Sequence, residues 1–161
     1  MMYQWSKQLE VGNKGEQLIK DTYPNDFDWF VKSRASDLVY IKNSTPTEVK
    51  TDTYSINKTP NFFIERYSKK HNLSPGGPWQ AWEKGSRLFI YFFINDNKLF
   101  VFKNLQALIV LVEDYTKERN IPLIEVPNNN YITLGYKIPR KILSNLYEEV
   151  TLGEPIKSLE V

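Results

Sequence analysis

The chain has 161 residues, enough for one domain with a proper core and too few for two ordinary ones. Its composition, 41% hydrophobic and 14% aromatic, is that of a folded protein and not a disordered one. It has no cysteine and a single histidine, His71, which excludes a disulfide scaffold, a thiol nucleophile, a cysteine-bound zinc and any within-chain zinc site built on several histidines. A net charge of +2 does not by itself announce a polyanion partner. The distribution says more, because Tyr54–Arg87 carries Lys58, Arg66, Lys69, Lys70, Lys84 and Arg87 against Glu65 and Glu83. The first residues, M-M-Y-Q-W-S-K-Q-L-E, lack an apolar signal core, and no run approaches a membrane span. A cytosolic protein with no membrane partner is the expectation.

Asn13–Tyr23 predicts the first helix, with Leu18, Ile19 and Tyr23 at helical spacing and Pro24 as the stop. Glu16 sits on the flank of that face. It reads either as a solvated carboxylate favoured by the helix dipole or as part of a reaction centre. Phe27–Lys32 is apolar and aromatic, a short strand or a packed connection, and Ser33–Ser36 is a polar lead-in.

Ser36–Asp52 carries the chemistry. It predicts a strand at Asp37–Ile41, a polar turn at Lys42–Pro46 and a second strand at Thr47–Asp52. Alternation along a strand puts Glu48 and Lys50 on one face and turns Val49 and Thr51 into a core. A tight hairpin brings Asp37 to the same edge. Two carboxylates and an ammonium then converge, which suits a hard divalent cation beside a phosphate. The bland alternative for Glu48 and Lys50 is an exposed ion pair on an edge strand, worth little energetically.

Asn57–Asn61 is a turn, and Phe62–Tyr67 a third strand whose Glu65 faces Glu48 and Lys50 if the second and third strands pair in register. Ser68–Pro78 has turn chemistry throughout. Trp79–Lys84 is one or two helical turns closed by Gly85. Trp79 and Trp82, three apart, read as core or as stacking surfaces for bases. Arg87–Ile94 is so apolar that it reads as a central strand buried on both faces. Asn95–Asn97 is a hairpin turn and Lys98–Lys103 the next strand. Asn104 caps a helix running to Arg119, with Leu105, Leu108, Ile109, Val112 and Tyr115 as its apolar stripe. Ile124–Val126 and Tyr131–Tyr136 are short strands, and Arg140–Glu149 is a last helix. The expected architecture is α/β: a mixed sheet of four or five strands flanked by helices, one domain with a core over about residues 13–119 and an addition at 120–161.

Asp37, ten intervening residues, and then Glu48-Val49-Lys50 resembles the signature of the PD-(D/E)XK nucleases, with Glu16 at the distance of that superfamily's helix glutamate. The usual proline before the aspartate is replaced by Ser36. The runs Glu48–Asp52, Asn61–Glu65, Gly76-Gly77 and Phe89–Phe93 resemble a small phage-type branch of the group. The resemblance implies a restriction-endonuclease-like core and a Mg²⁺- or Mn²⁺-dependent endonuclease or junction resolvase acting on DNA. Asp37, Glu48 and the Val49 carbonyl would hold metal. Glu16, Asp37, Glu48 and Lys50 would be the catalytic set, with Lys50 positioning the attacking water. Arg66, Lys69 and Lys70 would contact phosphates. A homodimer is implied where two strands are cut. The alternative is a non-catalytic nucleic-acid-binding or assembly domain on the same fold.

Overall fold

Leu88–Phe93 is buried along its whole length, and the rest of the protein is arranged on its two faces. In the computed structural model, which describes residues 5–30 and 36–159, this strand is β6. The segment at 31–35, covering the end of the predicted Phe27–Lys32 element and most of the polar lead-in, lies outside the described residues.

The elements run α1 (Trp5–Thr22), β1 (Phe27–Trp29), β2 (Leu38–Tyr40), β3 (Thr45–Asp52), β4 (Asn61–Lys69), β5 (Ser74–Pro75), α2 (Gly77–Glu83), β6 and β7 (Lys98–Phe102). Then follow α3 (Leu105–Glu118), β8 (Ile124–Pro127), β9 (Ile132–Pro139) and β10 (Tyr147–Thr151). A mixed six-stranded sheet has the order β1-β2-β3-β6-β7-β10, with β3 and β6 parallel and every other pair antiparallel. A second, antiparallel sheet has the order β5-β4-β9-β8.

Side chains alternate along β6, so it feeds two cores. Leu88, Ile90 and Phe92 pack with Ile19 and Tyr23 of α1. Phe89, Tyr91 and Phe93 pack with Phe62 and Ile64 of β4, Trp79 of α2, and Leu105, Leu108 and Val112 of α3. At about 1.5–3 kcal/mol for each large apolar side chain removed from water, β6 outweighs any surface ion pair as an organiser of the fold. The sheet therefore has α1 on one face, and the second sheet with α2 and α3 on the other. The buried phenol of Tyr91 ties the layers together. It donates to the Asp52 carboxylate of β3 and accepts the Phe63 N–H of β4 at 3.2 Å.

Several expectations hold closely. Asn104 caps α3, its side chain accepting the Ala107 N–H at 3.0 Å. The predicted hairpin is present as β2 and β3, with Leu38 opposite Thr47. Others are corrected. The first helix begins at Trp5, so Glu16 lies well inside it and is not a helix-start carboxylate. Arg140–Glu149 is not a helix. Arg140–Leu143 makes a short 3₁₀ turn that buries Leu143, and the chain then extends as β10 along the edge of β7. Nor does β3 pair with β4. Its neighbours are β2 and β6, while β4 lies in the other sheet beside β9. Residues after 120 are woven into both sheets, through β8 and β9 in one and β10 in the other.

Candidate functional site

The strand β3 is longer than β2 and runs on past it. Asp37, just before β2, fills the gap. Its N–H donates to the Thr47 carbonyl at 3.1 Å, and its Oδ2 accepts the Val49 N–H at 2.9 Å. The N–H and C=O of one strand residue point the same way, so the Val49 carbonyl faces that edge too. The preceding Ser36 is buried, its hydroxyl hydrogen-bonded to that of the buried Ser86 in the connection from α2 to β6. The backbone of Asp37 is thus held from two sides.

On one face of β3, Val49 joins the core beneath α1, and Thr51 meets Gly15 of that helix. A Cβ at Gly15 would collide with Thr51 Oγ1, so only glycine lets the helix lie this close. That approach sets the next residue, Glu16, beside Asp37. The Asp37 carboxyl is hydrogen-bonded to both Glu16 and Glu48, and all three side chains are half-buried.

Burial raises all three acids, and the charges of their neighbours add to the rise of Glu16 and Glu48. Burial first and the Asp37 charge second push Glu16 from 4.5 up to about 8. Burial, then the charges of Asp37 and Glu16, push Glu48 from 4.5 up to about 9. Asp37 is raised by burial but pulled back by the Val49 N–H, by its bonds to the two glutamates, and by Lys84. Near neutral pH Glu16 and Glu48 therefore favour their protonated forms, in which each can donate to Asp37.

Glu48 also looks toward the second sheet. With Lys50 it lines a cleft of about 90 Å³ whose far wall is Phe63 and Glu65 of β4 and Gly77 and Gln80 of α2. Glu65 reaches this cleft across the layers and not by strand pairing. Its Oε2 accepts the Gly77 N–H at 3.0 Å, so it anchors the start of α2. Gly77 has φ +48°, and a Cβ there would strike the Glu65 backbone.

The predicted phosphate contacts are placed differently from one another. Arg66 adjoins Glu65, but its guanidinium lies between rings, 4.4 Å from Tyr67 and 4.5 Å from Trp79. Lys69 is exposed, 5.8 Å over Tyr131, and Lys70 is ion-paired with Glu125. At about 3.4 Å per residue, the two lysines lie more than 10 Å along from Glu65. Trp79 is core, its Nε1 donating to Glu113 at 2.7 Å, and His71 is exposed in the turn after β4.

Lys84 is the residue that sequence reasoning missed. At the end of α2 it lies near enough to lower both Asp37 and Glu48. Its only signal was membership of the basic stretch.

Among the described residues, no three Asp, Glu or His side chains already stand in a metal-ligating set. The three carboxyls instead stand against one another. Their chemistry nonetheless fits a hard cation: oxygen donors only, crowded in a half-buried place where each charge costs free energy until a positive ion replaces the protons. Among the described residues no helix is long and apolar enough to cross a membrane. Compared with known proteins, the chain matches no family model, no curated protein and no solved structure.

Proposed function

We propose that the protein is a divalent-metal-dependent nuclease that hydrolyses DNA phosphodiester bonds on a restriction-endonuclease-like core. The observation that carries this reading is the contact of Glu16 of α1, Asp37 just before β2 and Glu48 of β3, with Lys50 beside Glu48 in the cleft. Side chains 32 positions apart in sequence, from Glu16 to Glu48, do not crowd like charges together for stability. The Asp37 charge raises the pKa of both glutamates, which weakens the metal-free fold as they ionise.

Asp37, Glu48 and the Val49 carbonyl would hold Mg²⁺ or Mn²⁺, with Glu16 completing the shell directly or through water. The cation would supply charge stabilisation at the scissile phosphate and acidify a bound water. The chain's own part is orientation. The Val49 N–H and the Ser36–Ser86 pair fix Asp37. Lys50, on the same face of β3 as Glu48, lines the cleft, where its ammonium would position water and offset charge developing on phosphate oxygens. Lys84 adds a second positive charge from α2. The exposed Lys69 at the end of β4 would add affinity through counterion release.

Incubation of plasmid and branched DNA with Mg²⁺ or EDTA tests the proposal. Cutting that needs Mg²⁺ and is lost in both Asp37→Asn and Lys50→Ala is the expected result. Full cutting by both variants would reassign the site. Salt-sensitive DNA binding with no cutting of any substrate would instead favour a non-catalytic binding or assembly domain.

A further inference from the structure

Beside α2, on a face away from the cleft, lies a second cavity of about 210 Å³, lined by Trp79, Trp82, Glu83, Gln106, Ile109 and Val110. Its walls differ in kind from those of the carboxylate site. Trp82 is only partly buried, and the Arg87 guanidinium covers its ring at 3.7 Å. That guanidinium is held in place by donating to the Trp82 carbonyl at 3.1 Å and the Ser86 carbonyl at 2.7 Å. Ile109 and Val110 form an aliphatic wall, with Val110 49% exposed, high for a helix valine beside a core. Glu83 and Gln106 are exposed polar groups at the rim.

We infer that this cavity is a subsite for one unpaired amino-bearing nucleobase, adenine, cytosine or guanine, of the strand being cut; the inference rests on the nuclease reading above. An aromatic edge and aliphatic wall suit a flat ring. The Glu83 carboxylate only accepts hydrogen bonds, and the Gln106 amide both donates and accepts. That set matches a base edge carrying an amino group, and the carboxylate repels a phosphate from the same space. The Arg87 charge beside it suits the adjoining phosphate. A paired base has its Watson–Crick edge occupied and its faces covered, so only a single-stranded or branch-point base can enter. Gln80 on the cleft and Trp82 on the cavity belong to one helix about 10 Å across. A strand with its phosphate at Glu48 and Lys50 thus reaches the cavity with a near neighbour of the cut. The substrate class is DNA with an unpaired stretch at the scissile position.

The test measures binding of a fluorescent oligonucleotide, in EDTA, either single-stranded with 2-aminopurine among adenines or annealed to its complement. Wild type is expected to bind the single strand at least about tenfold more tightly than the duplex and to quench 2-aminopurine. Trp82→Ala and Gln106→Ala lose most of that preference, while Trp82→Phe keeps it. Because Trp82 also packs on the core, the exposed Gln106 carries the test independently of folding. Equal binding of both forms, or an unchanged preference in Gln106→Ala and Trp82→Ala, overturns the subsite. Mg²⁺-dependent cutting of intact duplex alongside such a result leaves the nuclease reading standing. Quenching that depends on Trp82 and Gln106 without cutting of any substrate removes the nuclease reading and overturns the subsite as one for a strand being cut, leaving a base-binding cavity only.

Discussion

Replacing Glu48 with glutamine should stabilise the metal-free protein at alkaline pH while removing its response to Mg²⁺. Glu48 is raised from 4.5 to about 9, chiefly by burial and then by Asp37 and Glu16. A carboxyl raised on folding binds its proton more tightly in the native state, so stability falls as pH climbs from about 4.5 toward 9. At 1.36 kcal/mol per unit, pH 8 would cost roughly 5 kcal/mol if the group were sealed from water. The cleft is open and three carboxyls share the charge, which reduces this to on the order of 2 kcal/mol. Glutamine keeps the size of the protonated acid and can still donate to Asp37. For a chain of this length, 2 kcal/mol corresponds to a rise in Tm of about 4–8 °C. Thermal melts from pH 5 to pH 9, with EDTA or Mg²⁺, read this out. Wild type and Glu48→Gln should coincide near pH 5 and separate toward pH 8, and Mg²⁺ should raise only the wild type at pH 8. A variant destabilised equally at every pH would refute the reasoning, because Glu48 would then be contributing packing and not strain.

Three further outcomes follow from the same contacts. Mg²⁺ binding at pH 7 should release about one to two protons, seen as a dependence of calorimetric heat on the buffer's ionisation enthalpy; no release would mean that the glutamates are already ionised. Gly77→Ala, at φ +48° against the Glu65 backbone, should cost about 1–3 kcal/mol in denaturant melts and reduce cutting more than Gly12→Ala in α1, which meets nothing within 4 Å and has no positive φ. Tyr91→Phe leaves Asp52 and the Phe63 N–H without their shared phenol and should cost about 1–3 kcal/mol by chemical denaturation, with a free energy equal to wild type arguing against the interlayer tie.

What the sequence made legible was local. The alternation Glu48-Val49-Lys50-Thr51 specifies which side chains meet the core. The unbroken run in β6 specifies burial on both faces, and Asn104 with its apolar stripe specifies α3. The long-range choices were not legible. The partner of β4 is β9, some seventy residues on, and nothing in Asn61–Lys69 distinguishes it from β3 as a neighbour. Ile142, Leu143, Leu146 and Tyr147 have helical spacing, but an open edge of β7 captures Tyr147–Thr151 and overrides it. Within the site, Asp37 and Glu48 were readable from strand spacing. The placement of Glu16 depended on Gly15, a helical glycine whose missing Cβ makes room for the Thr51 side chain. Lys84 and Gln80 arrive on α2, whose docking is set by Glu65, Gly76 and Gly77 together, a three-dimensional fact with no fixed spacing.

The central claim is that Glu16, Asp37 and Glu48 exchange their shared protons for a cation. Anomalous diffraction from crystals soaked in Mn²⁺ at pH 8 measures this most directly. The account predicts a peak among these three carboxylates and the Val49 carbonyl, absent in Asp37→Asn. Crystals that show manganese elsewhere, or none at this edge of β3 with the carboxyls still hydrogen-bonded to one another, would contradict it.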